Sequence, residues 1–314
     1  MSNSSSAVCL VCGDTNPHLR YQITRFKILE CTRCAQIYLH PLPSEQEIHD
    51  LFVELYATGG GSVPELKSYY GFCYDDSPTN PLVQLYEHWL NKIEEHHRPG
   101  TILDVGSGTG LFLAIAKRRG WKPYGIDGSA EAISYAREHF GLDLWVGDFA
   151  EFQSRDTRFD VITGWDIIEH SRDPVGLLSA MRRSLAPGGS VVLSTPNQHS
   201  ILDVLAGGLY RLSGGRATAA LEKFYIEQHF LYFTPKTLSQ AYNLAGLEVT
   251  ELTPEITDLR RLTLNPLMRS ILVSLLFISR HTGLENRIFS MARVSENDRS
   301  NSNAQAGAQD SDQN

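Results

Sequence analysis

Three things that this 314-residue chain lacks narrow its function before any motif is considered. It has no basic excess, since 28 Lys and Arg stand against 36 Asp and Glu for a formal net charge of −8. Nucleic acid is therefore not an expected main partner, because binding phosphates requires a basic face. It has no apolar run long enough to cross a membrane, since the longest, 271–278, is interrupted by Ser274. It opens Met-Ser-Asn-Ser-Ser-Ser rather than on a basic stretch followed by an apolar one, so we expect no secretory signal.

Cysteine is also scarce, and its spacing matters more than its number. Four of the five cysteines form two Cys-x2-Cys pairs, Cys9 with Cys12 and Cys31 with Cys34. Each pair places two sulfurs on one turn, so four thiolates can close a tetrahedral shell around one Zn²⁺. A closed shell indicates a structural site, and thiols arranged for metal rather than disulfides indicate a reducing, cytoplasmic compartment. We expect the fifth, Cys73, to be a buried or spectator thiol.

Turn residues and periodicity divide the chain into regions. Ser44, with Glu47 three residues on, forms a capping box that predicts a helix over 44–56, and helical spacing predicts another over 81–97. From residue 101 strands alternate with helices, which predicts an α/β fold with a doubly wound, mostly parallel sheet. The expected regions are a zinc ribbon at 1–40, a helical linker region at 41–100, the α/β domain at 101–294 with insertions at 198–228 and 255–286, and a disordered tail at 295–314.

The alternation is specific enough to place individual elements. Strands are predicted at 101–105, 122–127, 143–147, 159–164, 189–195, 247–252 and 287–294, and helices at 110–119, 129–140, 174–185 and 235–245. The insertions carry two further apolar helical stretches, 201–212 and 264–278.

The most informative stretch is the run TILDVGSGTG, in which an apolar strand leads to Asp104 and then to Gly106, Gly108 and Gly110. Glycines are needed where the backbone turns sharply and a ligand approaches it closely. A strand, a glycine loop and a helix in this order form a nucleotide-ligand site on a doubly wound sheet. Leu111 stands where a dinucleotide fingerprint requires glycine or alanine. The loop therefore points to S-adenosylmethionine rather than to a nicotinamide or flavin cofactor.

Carboxylates at successive strand ends support the same cofactor. Asp104, Asp127, Asp148 and Asp166 follow four consecutive strands, whose carboxyl ends meet at one crevice. A negative crevice repels pyrophosphate but favours a sulfonium ligand with an ammonium group and a ribose diol. We expect Asp127, about 20 residues beyond the loop, at the ribose hydroxyls. Asp148, with Phe149 stacked beside it, is expected at the adenine, and Asp166 at the cofactor pocket.

Residues 101–195, and more loosely 229–294, resemble class I S-adenosylmethionine-dependent methyltransferases. The resemblance rests on the pieces ILDVGSGTG, YGID, VGDF, FDVITGWDIIEH and LAPGG, which stand in the family's order and spacing. It implies a Rossmann-like seven-stranded sheet whose final strand, 287–294, is antiparallel. It also implies that Asp104 and the glycines lie near the methionine part of the cofactor and Asp127 at its ribose. The cysteine module resembles the zinc ribbon ahead of some methyltransferases of sugar and secondary metabolism.

His229 is the candidate catalytic residue, because an imidazole has the right ordinary pKa for a general base. Sugar C-methyltransferases show a similar stretch with a glutamate directly before the histidine, where this chain has Gln228. Tyr232 is expected to stack, to donate a hydrogen bond or to belong to the core.

A second candidate is the run from Asp166 through Glu169 to His170. It resembles the Glu-x-x-Glu-His stretch of ubiquinone-pathway O-methyltransferases, in which the acidic residues and the histidine can hold a divalent cation such as Mg²⁺. Because Asp166 is shorter than the family's glutamate, we favour pocket lining without a metal and keep the Mg²⁺ site as the alternative.

The insertions are expected to form the lid that selects the substrate. Arg211 and Arg216 of the first insertion are candidates for holding an anionic group of the substrate or a lipid headgroup. The stretch 264–278 is expected to be a buried lid helix or an oligomer contact rather than a membrane anchor. The oligomeric state is left open.

Together these observations predict a cytoplasmic methyltransferase that acts on a small molecule, at a hydroxyl or carbon of a sugar or secondary metabolite. One alternative is a metal-dependent O-methyltransferase of a quinone-like lipid. Another is a scaffold that binds S-adenosylmethionine without catalysis.

Overall fold

The computed structural model describes residues 7–48, 71–152 and 157–295, with eleven strands and eight α-helices in these ranges besides the start of a helix at 45–48. The strands are β1 (Pro17–Gln22), β2 (Lys27–Cys31), β3 (Ile37–His40), β4 (Thr101–Val105), β5 (Lys122–Asp127), β6 (Trp145–Val146), β7 (Phe159–Trp165), β8 (Leu185–Pro196), β9 (Leu231–Tyr232), β10 (Leu247–Glu255) and β11 (Arg287–Val294). The helices are α1 (Pro81–Glu94), α2 (Leu111–Arg118), α3 (Ala130–Phe140), α4 (Phe149–Phe152), α5 (Pro174–Arg183), α6 (Ile201–Leu212), α7 (Pro235–Leu244) and α8 (Pro266–Thr282).

The larger sheet has seven strands in the order β10-β11-β8-β7-β4-β5-β6. Its five strands from β8 to β6 are parallel, and β11 runs antiparallel to both of its neighbours. The predicted doubly wound sheet with an antiparallel final strand is thus confirmed. β8 begins four residues earlier than expected, because Leu185 still pairs with Phe159 across a register shift. β6 is shorter than expected and forms the edge of the sheet.

The strand order positions the site. The chain leaves β4 towards β5 and β6 on one side and returns to β7 and β8 on the other. The carboxyl end of β4 is therefore a topological switch point, where open α/β sheets bind their ligands. Asp104 lies beside Gly125 of β5 and Thr163 of β7 in the register, which centres it in the sheet.

Helix α1 packs beside the carboxyl end of β7 and begins where its sequence predicts. The Asn80 side chain accepts a hydrogen bond from the Leu82 amide at 2.8 Å, and Pro81 occupies the first turn. Trp89 of α1 is buried and stacks on Trp165 of β7 at 4.3 Å between ring centroids. Of the helix predicted over 44–56, only the start lies within the described residues.

The smaller sheet joins two distant parts of the chain. Its order is β1-β2-β3-β9, antiparallel throughout, and β9 comes from the segment after the first insertion. Ile37 pairs with Tyr232 and Tyr38 with Leu231. The same hydrophobic core contains Tyr38 of this sheet and Phe233 just beyond β9. The cysteine module is therefore built into the α/β domain across the boundary expected at residue 40.

Both insertion helices form, but α8 is more exposed to solvent than expected. Helix α6 has the predicted bounds, and α8 begins after Asn265, whose side chain accepts from the Met268 amide at 2.8 Å. Only Leu276 and Ser279 of α8 are buried, so the expectation of a buried lid helix is wrong. None of the described helices is long and apolar enough to cross a membrane.

Candidate active site

A cavity of about 830 Å³ opens at the carboxyl ends of β4, β5 and β7. Its charged lining comprises five carboxylates and two arginines, namely Asp104, Asp127, Glu131, Asp166, Glu169, Arg261 and Arg287. Carboxyl groups outnumber arginines in this lining, which favours a cationic ligand over a pyrophosphate. The glycine loop lines one half of the cavity, and His170 with His229 lines the other.

The glycine loop has the backbone conformation that its sequence predicts. Gly106, Gly108 and Gly110 have φ values of +72°, +50° and +76°, in the left-handed region that side chains disfavour. Gly106 and Gly108 line the cavity. Gly110 faces the protein instead, since a Cβ there would lie 3.0 Å from the Cβ of Ala136. Glycine is required at this position so that the loop can pack against α3.

Asp104 and Asp127 are the buried carboxylates of this half. Asp104 accepts a hydrogen bond from the Thr163 hydroxyl at 2.6 Å, and burial raises its pKa to about 7. Asp127 accepts from the backbone amides of Gly108 and Ser129, both at 2.8 Å, and burial raises its pKa as well. Asp127 thereby ties the glycine loop to the end of β5.

The residues expected at the adenine lie next to the cavity rather than in its lining. Asp148 follows Gly147, whose amide donates to the Asp127 carbonyl at 2.9 Å. Phe149 begins α4, is 5 % exposed and belongs to the hydrophobic core. The structure therefore brings Asp104, Asp127 and Asp166 together in the lining but not Asp148 or Phe149.

Asp166 is held by an arginine that the sequence did not single out. Arg287, the first residue of β11, donates to Asp166 at 2.5 Å and to the Ser194 hydroxyl at 2.9 Å. Asp166 has a φ of +55°, which is strained for a residue with a side chain. The available signal was an arginine at the start of a mostly apolar strand, Arg287–Val294. Arg261 was missed too, whereas the exposed Arg211 and Arg216 do not line the cavity.

The other half of the cavity holds a cluster of possible metal ligands. One ligand atom from each of Glu169, His170 and His229 lies within 4.8 Å of the others. Thr195 donates to one Glu169 oxygen at 2.9 Å, and the other oxygen is buried without a hydrogen-bond partner among the described residues. His170 Nδ1 lies 2.6 Å from the carbonyl oxygen of Gln228, to which it donates when it carries the ring proton.

Burial sets the protonation of this cluster. It raises the pKa of Glu169 to about 8, to which the neighbouring Asp166 charge adds. It lowers the pKa of His229 to about 3, and the adjacent His170 contributes in the same direction. The two imidazoles meet edge to face at 4.8 Å between centroids. Both histidines are thus neutral at physiological pH, as metal binding requires.

The four remaining candidate ligands form a separate sulfur cluster in the smaller sheet. The Sγ atoms of Cys9 and Cys34, and those of Cys12 and Cys31, lie 3.5 Å apart, and all four lie within 4.8 Å of one another. A ZnS₄ tetrahedron has sulfur–sulfur edges of about 3.8 Å. The cluster therefore fits the shell of a zinc ribbon.

Comparisons with known proteins agree with this fold. Residues 82–252 match the protein family described as a methyltransferase domain. The chain is 30% identical over 208 residues to a ubiquinone biosynthesis O-methyltransferase of Hahella chejuensis, covering 62% of this chain and 80% of that protein. The protein of the same description from Pseudomonas paraeruginosa is 31% identical, covering 62% and 82%. Among solved structures, magnesium protoporphyrin IX methyltransferase from Synechocystis PCC 6803 with bound SAH shares the fold, with a TM-score of 0.50, 14% identity and coverage of 80% and 100%.

Proposed function

The chain belongs to the methyltransferase domain family of S-adenosylmethionine-dependent enzymes, and on this premise we propose that it O-methylates a phenolic hydroxyl of a small, quinone-like molecule. The observation that carries the proposal is the Glu169, His170 and His229 cluster facing the cofactor half of the same cavity. The names of the relatives, ubiquinone biosynthesis O-methyltransferases, support the acceptor class.

In the cofactor half, each residue's chemistry matches one part of S-adenosylmethionine. Asp104, with its raised pKa, is stabilised in the ionised form by a cation such as the ammonium group. Asp127 already accepts two backbone hydrogen bonds, and each oxygen keeps a lone pair for a ribose hydroxyl. Gly106 and Gly108 leave the backbone accessible to the methionine part. We assign Asp148 and Phe149 to the adenine end of the cofactor, next to the residues that line the cavity.

In the acceptor half, the donor set fits a divalent cation. Glu169 offers a buried oxygen that lacks a hydrogen bond, and two neutral imidazoles stand beside it. One carboxylate and two imidazoles suit Mn²⁺, Fe²⁺ or Zn²⁺ better than Mg²⁺, which prefers oxygen ligands. A bound cation would lower the pKa of an acceptor hydroxyl and orient it.

The low pKa of His229 favours this role over that of a general base. A base works best when its pKa lies near the working pH, and an imidazole with a pKa of about 3 takes up a proton poorly. A neutral, desolvated imidazole is a good metal ligand. Arg287 meanwhile engages Asp166, so His229 takes the place in the cluster that the sequence resemblance suggested for Asp166.

We propose that the four cysteines hold a structural Zn²⁺. Burial raises the pKa of Cys9 to about 11, so its thiol is neutral unless a cation displaces the proton. A set of four sulfurs leaves no position for a substrate.

A second candidate is metal-independent methylation of a sugar or secondary-metabolite acceptor, at oxygen or carbon, with His229 as the base. The continuity of the cysteine sheet with β9, two residues beyond His229, favours it, because a ribbon of this kind resembles those ahead of sugar methyltransferases.

One assay separates the two candidates. The purified protein is given methyl-labelled S-adenosylmethionine and either a soluble catechol or a nucleotide sugar, before and after mild chelation. We expect label in the catechol, loss of transfer after chelation, and recovery with Mn²⁺ or Zn²⁺ but not in a Glu169→Gln variant. Chelation-resistant transfer to the nucleotide sugar would favour the second candidate. Cofactor binding without transfer to either probe would contradict both and support a non-catalytic scaffold.

A further inference from the structure

The turn that carries His229 is held by a side chain from outside the cavity. Residues 226–229 form a β-turn, in which the His229 amide donates to the Ile226 carbonyl at 3.1 Å. Ile226, Gln228 and His229 line the cavity. Tyr232 does not belong to this lining, but its hydroxyl donates to the same Ile226 carbonyl at 3.0 Å. The carbonyl that closes the turn therefore also accepts a hydrogen bond from Tyr232.

The same turn is bonded to the other two members of the cavity cluster. The Gln228 carbonyl lies 2.6 Å from His170 Nδ1, and the Phe230 amide donates to the Glu169 carbonyl at 2.8 Å. The rings of His170 and His229 meet at 4.8 Å between centroids. Because the turn carries His229 and contacts the backbone or ring of both partners, any displacement of the turn changes the distances among the three ligands.

The smaller sheet fixes Tyr232 itself. Tyr232 lies in β9 and pairs with Ile37 of β3, and the Gln36 side chain donates to its carbonyl at 3.1 Å. The Leu39 amide donates to the Phe230 carbonyl at 3.0 Å, which ties the start of β9 to β3 as well. The Tyr232 side chain is buried, with 3 % of the residue exposed. A buried ring on a bonded strand holds its hydroxyl in one place, which is how a supporting residue orients a site.

We propose that Tyr232 is a positioning residue of the active site. Its hydroxyl, fixed by the smaller sheet, sets where the 226–229 turn presents His229 to Glu169 and His170. Residues that support metal ligands without touching the metal tune both its affinity and the activity of the site. The smaller sheet thereby supports the active site in addition to holding the four cysteines. This inference rests on the proposed function, in which His229 acts in the cavity.

Tyr225 offers a matched comparison for Tyr232. The two rings meet edge to face at 4.6 Å between centroids, and both residues are buried. The Tyr225 hydroxyl donates to Asp203 at 2.8 Å and not to the turn. Tyr225→Phe and Tyr232→Phe thus remove the same group from adjacent rings, but only the second change removes a hydrogen bond to the turn. A tyrosine that merely stabilised the core would give the same result at either position.

Titration of the zinc-loaded, full-length protein with Mn²⁺ tests the proposal, with the free ion followed by electron paramagnetic resonance. Mn²⁺ reports on the cavity cluster because thiolates bind it poorly. We expect Tyr232→Phe to weaken Mn²⁺ binding and to lower kcat on the catechol about tenfold each, while the KM for S-adenosylmethionine is unchanged. Tyr225→Phe should keep the wild-type Mn²⁺ affinity and kcat. Its thermal unfolding midpoint should fall by as much or more, because hydrogen bonds to charged groups are the stronger ones.

Two results would overturn the positioning role. One is an equal Mn²⁺ affinity and kcat in Tyr232→Phe and the wild type. The other is an equal loss in both tyrosine variants, since such a loss would follow stability rather than the turn. A wild type that binds no Mn²⁺ would instead contradict the proposed metal function. In that case the kcat of the two variants on the nucleotide sugar decides the positioning role by the same comparison.

Discussion

The four sulfur atoms of the smaller sheet and the three ligand atoms of Glu169, His170 and His229 form two close clusters in different surroundings. In each cluster the ligand atoms lie within 4.8 Å of one another. The sulfur cluster is held by strands and turns of the smaller sheet, and none of its four cysteines lines the cavity at the carboxyl ends of β4, β5 and β7. The other cluster lies in the wall of a cavity of about 830 Å³, with the cofactor half opposite.

The difference teaches how to separate a structural from a catalytic ligand set before any metal is identified. Four sulfurs complete a tetrahedron and leave nothing for a substrate, whereas three ligands facing a cavity leave positions open. The second set also carries a feature of functional sites, a buried Glu169 whose pKa is raised to about 8. Removing one ligand should therefore lower the stability of the protein at the sulfur cluster and its activity at the cavity cluster.

The largest effect is expected from Cys31→Ser, which removes one sulfur from the ribbon cluster. Because a structural metal contributes to folding outright, we expect loss of zinc and destabilisation by several kcal/mol, at least about 3. Bound zinc and the thermal unfolding midpoint measure the two consequences, and Cys73→Ser is the control. A Cys31→Ser protein that keeps the wild-type unfolding midpoint would contradict a structural role for the sulfur cluster.

The second effect is expected from Glu169→Gln, which keeps the size of the side chain but weakens the ligand in the cavity. We expect kcat to fall by about 10²- to 10⁴-fold, while the zinc held by the four cysteines and the affinity for S-adenosylmethionine stay unchanged. Steady-state kinetics and calorimetric titration check this. Thr195→Val, which removes only the hydrogen bond to Glu169, is the matched control and should lower kcat much less. A large loss of stability instead of activity in Glu169→Gln would make this cluster structural as well.

The smallest effect is expected from Asp104→Asn and appears as a pH dependence. The folded-state pKa of Asp104 is raised to about 7, above its unfolded value of about 4. Between pH 4 and pH 7, therefore, Asp104 is protonated in the folded protein but ionised in the unfolded chain. The free energy of unfolding attributable to this group therefore decreases as pH rises from 4 to 7. At pH 8 the variant should be more stable than the wild type by about 1–3 kcal/mol, yet bind S-adenosylmethionine more weakly. Denaturant unfolding at pH 5 and pH 8 measures it, and equal differences at the two pH values would contradict it.

The sequence predicted the elements of the α/β domain well, because strand and helix periodicities are local. The helix at 201–212 and the glycine conformations follow from a few neighbouring residues in the same way. The pairing of Ile37 with Tyr232 and the contact of Arg287 with Asp166 depend on segments far apart in the chain, and no local pattern encodes them. The grouping of His229, rather than Asp166, with Glu169 and His170 has the same origin. For α8 the sequence showed the apolar residues but not which side of the helix the protein would cover.

The pairing of β3 with β9 also has a consequence for how the protein is made. Gln36 donates to the Tyr232 carbonyl at 3.1 Å across a separation of 196 residues. At about 5–20 residues per second, the ribosome needs roughly 10–40 s to deliver the last strand after the first three have emerged. During that time the edge of β3 is an open template for pairing with a wrong strand. A metal bound early by the cysteines would keep the three-stranded piece in shape until its partner arrives, and zinc supply during translation would then be a condition for the yield of folded protein.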